Sequence, residues 1–177
     1  MTSFTNRIIR AAKLDVSLYE EVEADKGALG QAMGVVVLSS IAVGIGSIER
    51  VGFGGILIGT IAALIGWYIW AYLTYFIGTR LLPEPQTKAG YGELLRTIGF
   101  SSSPGLIRVL GIIPGLAGIV FLVASIWMLV AMVIAVRQAL DYQSTLRAVG
   151  VVAIGWIIQM LILALLFSIF AGSGEPV

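Results

Sequence analysis

The chain has 177 residues, of which 58% are hydrophobic and only 12% charged, and its mean hydropathy is +0.99. A soluble domain averages about 25% charged residues and needs them to cover its surface, so this composition places the chain in a membrane. Zero Cys and zero His exclude disulfides, zinc sites, haem ligation through His and any Ser-His or Cys-His catalytic arrangement, and a formal net charge of +1 gives no global field for nucleic acid.

In chain order, residues 1–27 form an amphipathic segment before the first apolar run. Phe4, Ile8, Ala11, Leu18 and Val22 recur at helical spacing on one face, with Arg7, Arg10 and Lys13 to the side. The capping-box spacing of Ser17-Leu-Tyr-Glu20 divides the segment into two short helices, and Gly27 ends the second. This pattern predicts a helix on the cytoplasmic leaflet, with Phe4, Ile8 and Leu18 at the headgroups and the cations beside anionic lipid. Packing of the same face on the protein's own cytoplasmic loops is the alternative, because Asp15 interrupts the apolar stripe. No secretory signal is expected, since this acid-containing stretch precedes the first span.

A hydrocarbon core about 30 Å thick calls for about 20 apolar residues per helix, and five stretches meet that length. They are 28–48, 53–78, 94–113, 118–136 and 149–170, followed by a short outside tail at 172–177. The expected fold is therefore an all-α integral membrane bundle of five transmembrane helices over residues 28–171, joined by connections too short for a soluble catalytic domain. The third stretch fits least well, because it contains Arg96, Ser101, Ser102, Ser103, Pro104 and Arg108. Arg96 lies within a turn of one end, and Arg108 is only about 9 Å of helix from Pro114, so a continuous span is expected, with a re-entrant segment or a helix broken at Pro104 as the alternative.

Lys and Arg fall on one side by nine to one, with only Arg50 opposite and Arg108 inside a span. The N-terminus is thus expected in the cytoplasm and the C-terminus outside, with the plasma membrane as the location.

None of the acids lies inside a proposed span. Ion-coupled transport and acid–base catalysis within the bilayer need such a group, so no catalytic residue, cofactor or metal is expected. Arg108 is expected to be an interfacial anchor that satisfies carbonyls freed by Pro104 and Pro114; the alternative is that it holds a lipid phosphate or a partner's carboxylate through paired bonds. Ser101, Ser102 and Ser103 are expected to re-satisfy a helix broken at Pro104 rather than to line a hydrophilic path. Gly55, Gly59 and Ala63 form a small-residue stripe expected to make an intramolecular helix contact. Trp67, Tyr68, Trp70, Tyr72 and Tyr75 read as an interfacial aromatic belt, and Gln159 as a bond to a neighbouring helix.

From Gly92 onward the residues carry a family resemblance through diffuse motifs without a catalytic signature. Gly92-Glu-Leu-Leu-Arg-Thr-Ile-Gly-Phe-Ser, Pro104, the Ile113-Pro114-Gly115 turn, Trp127, and Arg137-Gln-Ala-Leu-Asp before a last apolar helix resemble the prokaryotic branch of the Yip (Ypt/Rab-interacting protein) family. The resemblance covers about 94–170 by motif and 28–82 by span count. It implies five helices with a cytoplasmic N-terminus. Eukaryotic relatives are associated with Rab GTPases, vesicle traffic and membrane shaping, and carry an Asp-Leu-Tyr-Gly-Pro motif. Here only Leu18-Tyr19-Glu20 approaches that motif, so Rab binding does not carry over.

These features lead to a non-enzymatic membrane-organising or partner-binding protein whose partners are membrane lipids, other membrane proteins or a second copy of itself. An accessory subunit of a larger membrane complex, or a small transporter or lipid scramblase working along Arg96, Ser101–Ser103 and Arg108, is the alternative.

Overall fold

The structure, a computed structural model, describes residues 3–172, so the outside tail expected from the sequence lies, beyond Gly172, outside the described residues. Two short helices, α1 (Phe4–Ala12) and α2 (Val16–Ala24), precede a 3-10 turn at Lys26–Ala28 and the long helix α3 (Leu29–Gly46). Then come α4 (Ile48–Phe76), which closes on a π turn at Ile77–Leu81, and α5 (Tyr91–Phe100). A 3-10 helix over Ser103–Ile112, α6 (Ala117–Ala139) and α7 (Thr145–Gly172) complete an all-α membrane bundle. Among the described residues there is no strand.

Among the described residues, four stretches are long and apolar enough to cross a membrane: Lys26–Gly46, Ile48–Leu81, Ala117–Ala139 and Thr145–Ile162. Their outer faces leave Ile58, Ile65, Leu122, Ile126, Ile157 and Leu161 exposed, a surface that lipid covers. Regular helix in α4 begins at Phe53, because Gly52 adopts φ 62°, ψ −178°, a region open in practice to glycine alone.

The third expected span is not one helix. After α5 the chain turns at Ser101–Ser102 and tightens into the 3-10 helix, with Pro104 at its second position. Proline lacks the N–H and clashes with the carbonyl four residues back, so an α-helix cannot pass through it undisturbed. The Ser101 hydroxyl donates to the Ile98 carbonyl at 2.7 Å, whereas the Ser103 hydroxyl is buried without a partner. The broken segment still follows α3 along its length. Gly99 lies against Ala32, Gly105 against Ser39, and the Arg108 carbonyl with Gly111 against Gly46. A Cβ at Gly99 would stand 2.7 Å from that of Ala32, and one at Gly111 would stand 2.9 Å from the Gly46 carbonyl oxygen, so this seam admits no side chain.

The N-terminal segment departs from the expected interfacial helix. Leu14, at φ 61°, ends α1 and turns the chain, so α1 and α2 cannot form one amphipathic rod. Asp15 caps α2 by accepting from the Ser17 N–H, which places the cap two residues before the expected box. Leu18, Tyr19 and Val22 are fully buried among α5 and α6 residues, and Phe4 and Ile8 pack on the same core. Leu18 therefore contacts protein, not headgroups. The Phe4 ring lies 3.3 Å from where a Cβ would stand on Gly34 of α3.

The aromatic cluster divides similarly. Trp67 is buried and donates its indole N–H to the Leu95 carbonyl at 3.0 Å, while Tyr68 and Tyr72 remain exposed as a belt requires.

Candidate functional site

At the end of the bundle capped by α1 and α2, most of the arginines bond within the chain. Arg7, buried despite its charge, donates to Glu21 at 2.9 Å, to Asp25 at 2.8 Å and to the Gln31 side chain at 2.9 Å. Arg10 donates to Asp15, Glu21 and Ser17. These guanidinium groups hold the Asp15 and Asp25 carboxyls below the usual carboxylate range. Arg96 donates to the Val22 carbonyl at 2.8 Å and to the Glu23 carbonyl, so it caps the C-terminal end of α2. Arg137 and Arg147 bond the carbonyls of Tyr142, Gln143 and Pro83. The cations assigned to lipid headgroups at Arg7 and Arg10 are thus already partnered by protein.

Glu23 stands out at this end. Burial, then the charges of Asp141 and Glu93, push its carboxyl up to about 7, against the opposing pull of Arg96 and with a smaller push from Glu20. Its value in the folded state therefore lies above the ordinary 4.5. Ionisation disfavours the docked α2, a penalty absent below about pH 4.5 and complete above about pH 7. Acidification from pH 8 to pH 6 is expected to raise the melting temperature in detergent by a few degrees, on the order of what ~1 kcal/mol gives. Glu23→Gln should raise it at pH 8 and flatten the dependence. A wild-type melting temperature that does not change across this window would contradict the assignment.

Between the helices lies a groove of about 490 Å³, walled by α3, α4, the 3-10 helix, α6 and α7. Its floor is one face of α4: Val51, Gly55, Gly59, Ala63, Gly66 and Trp70. Of the stripe Gly55, Gly59 and Ala63, Gly59 borders open space, with nothing within 4 Å of a Cβ there or at Gly66, while Ala63 also packs against the core. The tight α3–α4 approach is instead Gly44 on Ile56, at 2.6 Å from an added Cβ. Ser39, Ser40, Ser102 and Gln159 give the groove its polar lining, with Met128 and Met132 opposite.

Arg108 lines the groove near its distal end. Its Nη2 donates to the Ser125 hydroxyl at 3.0 Å, and its guanidinium stands 5.7 Å from the centre of the Phe121 ring. Its Nε is buried with no partner, as is the indole nitrogen of Trp70 toward the other end of the groove. Among the described residues no carboxylate pairs with it. Phe121 also lines a second cavity of about 520 Å³ at the distal end, between Gly46–Arg50 and the Ile113-Pro114-Gly115 turn.

The residues expected along one polar path do not come together. Only Ser102 and Arg108 reach the groove; Arg96 is bound to α2, Ser101 to Ile98, and Ser103 and Pro104 are buried. Ser39, Ser40, Gly66 and Trp70 were not singled out as groove residues by the sequence. Gly66 continues the small-residue stripe three residues after Ala63, and Trp70 lies on the same face one turn further, which was the available signal.

A family model described as the Yip1 domain matches residues 19–167. No curated protein and no solved structure matches the chain.

Proposed function

The chain belongs to the Yip1 domain family, and from that premise we propose that it is a non-enzymatic membrane-organising or partner-binding protein that works sideways, within the bilayer. The observation that carries this reading is a contrast between two surfaces. At the capped end, Arg7, Arg10, Arg96, Arg137 and Arg147 are bonded within the chain, whereas the groove leaves Arg108 and Trp70 with buried, unpartnered N–H groups. Buried polar groups normally find partners, so the unfilled demand lies where lipid or another membrane helix can meet it.

The same reading takes the plasma membrane as the location, with five crossings, the capped end in the cytoplasm and the Pro114–Gly115 turn outside. The broken segment of α5 and the 3-10 helix, which together follow α3 from Ala32 to Gly46, supports the fifth crossing, and the Lys and Arg distribution supports the direction. Since the chain has no Cys, single cysteines report it cleanly. Cysteines at Lys88 and Gln143 are expected to react with impermeant reagents only in opened cells, and one at Pro114 in intact cells. Labelling of position 88 from outside would overturn the orientation.

Purification in mild detergent tests the functional reading. A monomer- or dimer-sized species that carries lipid supports it. Stoichiometric foreign subunits would make the chain an accessory component, and solute uptake or lipid flipping in reconstituted vesicles would make it a transporter or scramblase.

A further inference from the structure

We propose that the groove holds one anionic glycerophospholipid, its phosphate on Arg108 and an acyl chain laid along the glycine face of α4 toward Trp70. The inference rests on the reading of the chain as a module that binds within the bilayer, and it names the ligand. Its volume of about 490 Å³ falls inside the range of about 300–1,000 Å³ typical of small-molecule sites. Its length suits a chain: from Gly55 to Trp70 the groove follows α4 for about 22 Å at 1.5 Å per residue, enough for an acyl chain of one leaflet, which covers about half of the hydrocarbon thickness of about 30 Å. The floor is smooth, since nothing lies within 4 Å of a Cβ at Gly59 or Gly66.

Charge complementarity selects the headgroup. Arg108 is a cation in the groove wall whose one hydrogen bond to a described residue is to a neutral hydroxyl, Ser125. Four N–H directions of the guanidinium remain, including the buried Nε, in a planar fork that matches two phosphate oxygens. An uncharged helix of a partner protein would leave that charge buried and uncompensated. Phe121 behind the guanidinium and Ser125 beside it hold the side chain toward α6, so it does not reach freely into bulk headgroups.

The test uses the intact protein in mild detergent with an equimolar mixture of dioleoylphosphatidylglycerol and dioleoylphosphatidylcholine, with bound lipid counted by native mass spectrometry. Wild type is expected to retain one phosphatidylglycerol and to prefer it over phosphatidylcholine by about tenfold or more, the scale of one charge-assisted contact. Arg108→Leu should bring the preference to about one, with Arg108→Lys intermediate because an ammonium lacks the fork. Gly59→Leu points a side chain into open space, so the fold should stand while retention of both lipids drops. Equal retention by wild type and Gly59→Leu, or a preference that survives Arg108→Leu, would overturn the proposal. A protein partner bound in place of lipid would also overturn it while leaving the broader reading intact; uptake or flipping activity would fail the broader reading alone.

Discussion

Gly46→Ala is expected to cost about 3 kcal/mol, the upper part of the overpacking range, because the added methyl meets the backbone carbonyl of Arg108 and not a movable side chain. In a chain of this length that corresponds to a fall of roughly 6–12 °C in melting temperature. The mechanism is specific to the seam between α3 and the 3-10 helix, where Gly99, Gly105 and Gly111 also face α3 without room for a Cβ. Gly30, also in α3, has nothing within 4 Å of its Cβ position, so Gly30→Ala should leave the melting temperature unchanged or raise it slightly. Melting in detergent followed by tryptophan fluorescence checks both. If Gly46→Ala melts no lower than Gly30→Ala, the close pairing of α3 with the third segment is wrong.

Arg7→Met should detach α1 and α2 at a cost of about 2 kcal/mol. Arg7 joins α1 to Glu21 and Asp25 of the α2 region and to Gln31 of α3, with its own side chain only 8% exposed. Removing a nearly buried cation takes one partner from each of two carboxylates and an amide, and such losses can reach about 3–5 kcal/mol where everything is buried; Glu21 keeps Arg10 and Asp25 keeps the Gly27 N–H. Here Glu21 and Asp25 are 29% and 41% exposed and can recover water, which reduces the cost. Limited proteolysis should then cut near Leu14, where the chain turns between the two helices. The comparison is Lys13→Met on the exposed side of the same segment, expected within about 0.5 kcal/mol of wild type. Equal protease resistance in the two variants would show that the Arg7 cluster does not hold the cap.

The sequence made the membrane class, the helical architecture and the boundaries of four long helices legible, because apolar length against charge is the strongest signal a bilayer imposes. The interruption of α4 at Gly52 was readable from Glu49, Arg50 and Gly52, which separate two apolar stretches. The break after Phe100 was visible as Pro104 with three serines, but its 3-10 continuation depends on tertiary contact with Gly46 and Ser39, which no local pattern encodes. The N-terminal helices misled for a related reason. An apolar face at helical spacing is the same whether lipid or protein covers it, and only Leu14 at positive φ folds the segment back onto the bundle. Arg96 and Arg108 look alike in sequence as cations in one apolar stretch. The fold gives the first two helix-end carbonyls and gives the second a groove wall. The Gly55, Gly59 and Ala63 stripe was legible as a feature, but small residues mark both a close approach and a space kept open, and only the fold separates Ala63, packed on the core, from Gly59, which faces the groove.

The central claim is that this protein meets its partners within the bilayer, through the groove, and not through its capped end. Photo-cross-linking in native membranes tests it most directly, with a benzophenone amino acid placed in turn at Trp156 on the α7 wall of the groove, and at Lys88 and Gln143 on the exposed loops. The account predicts lipid or membrane-protein adducts from position 156 and none above background from positions 88 and 143. Specific adducts with soluble proteins from the two loop positions, with position 156 silent, would contradict it.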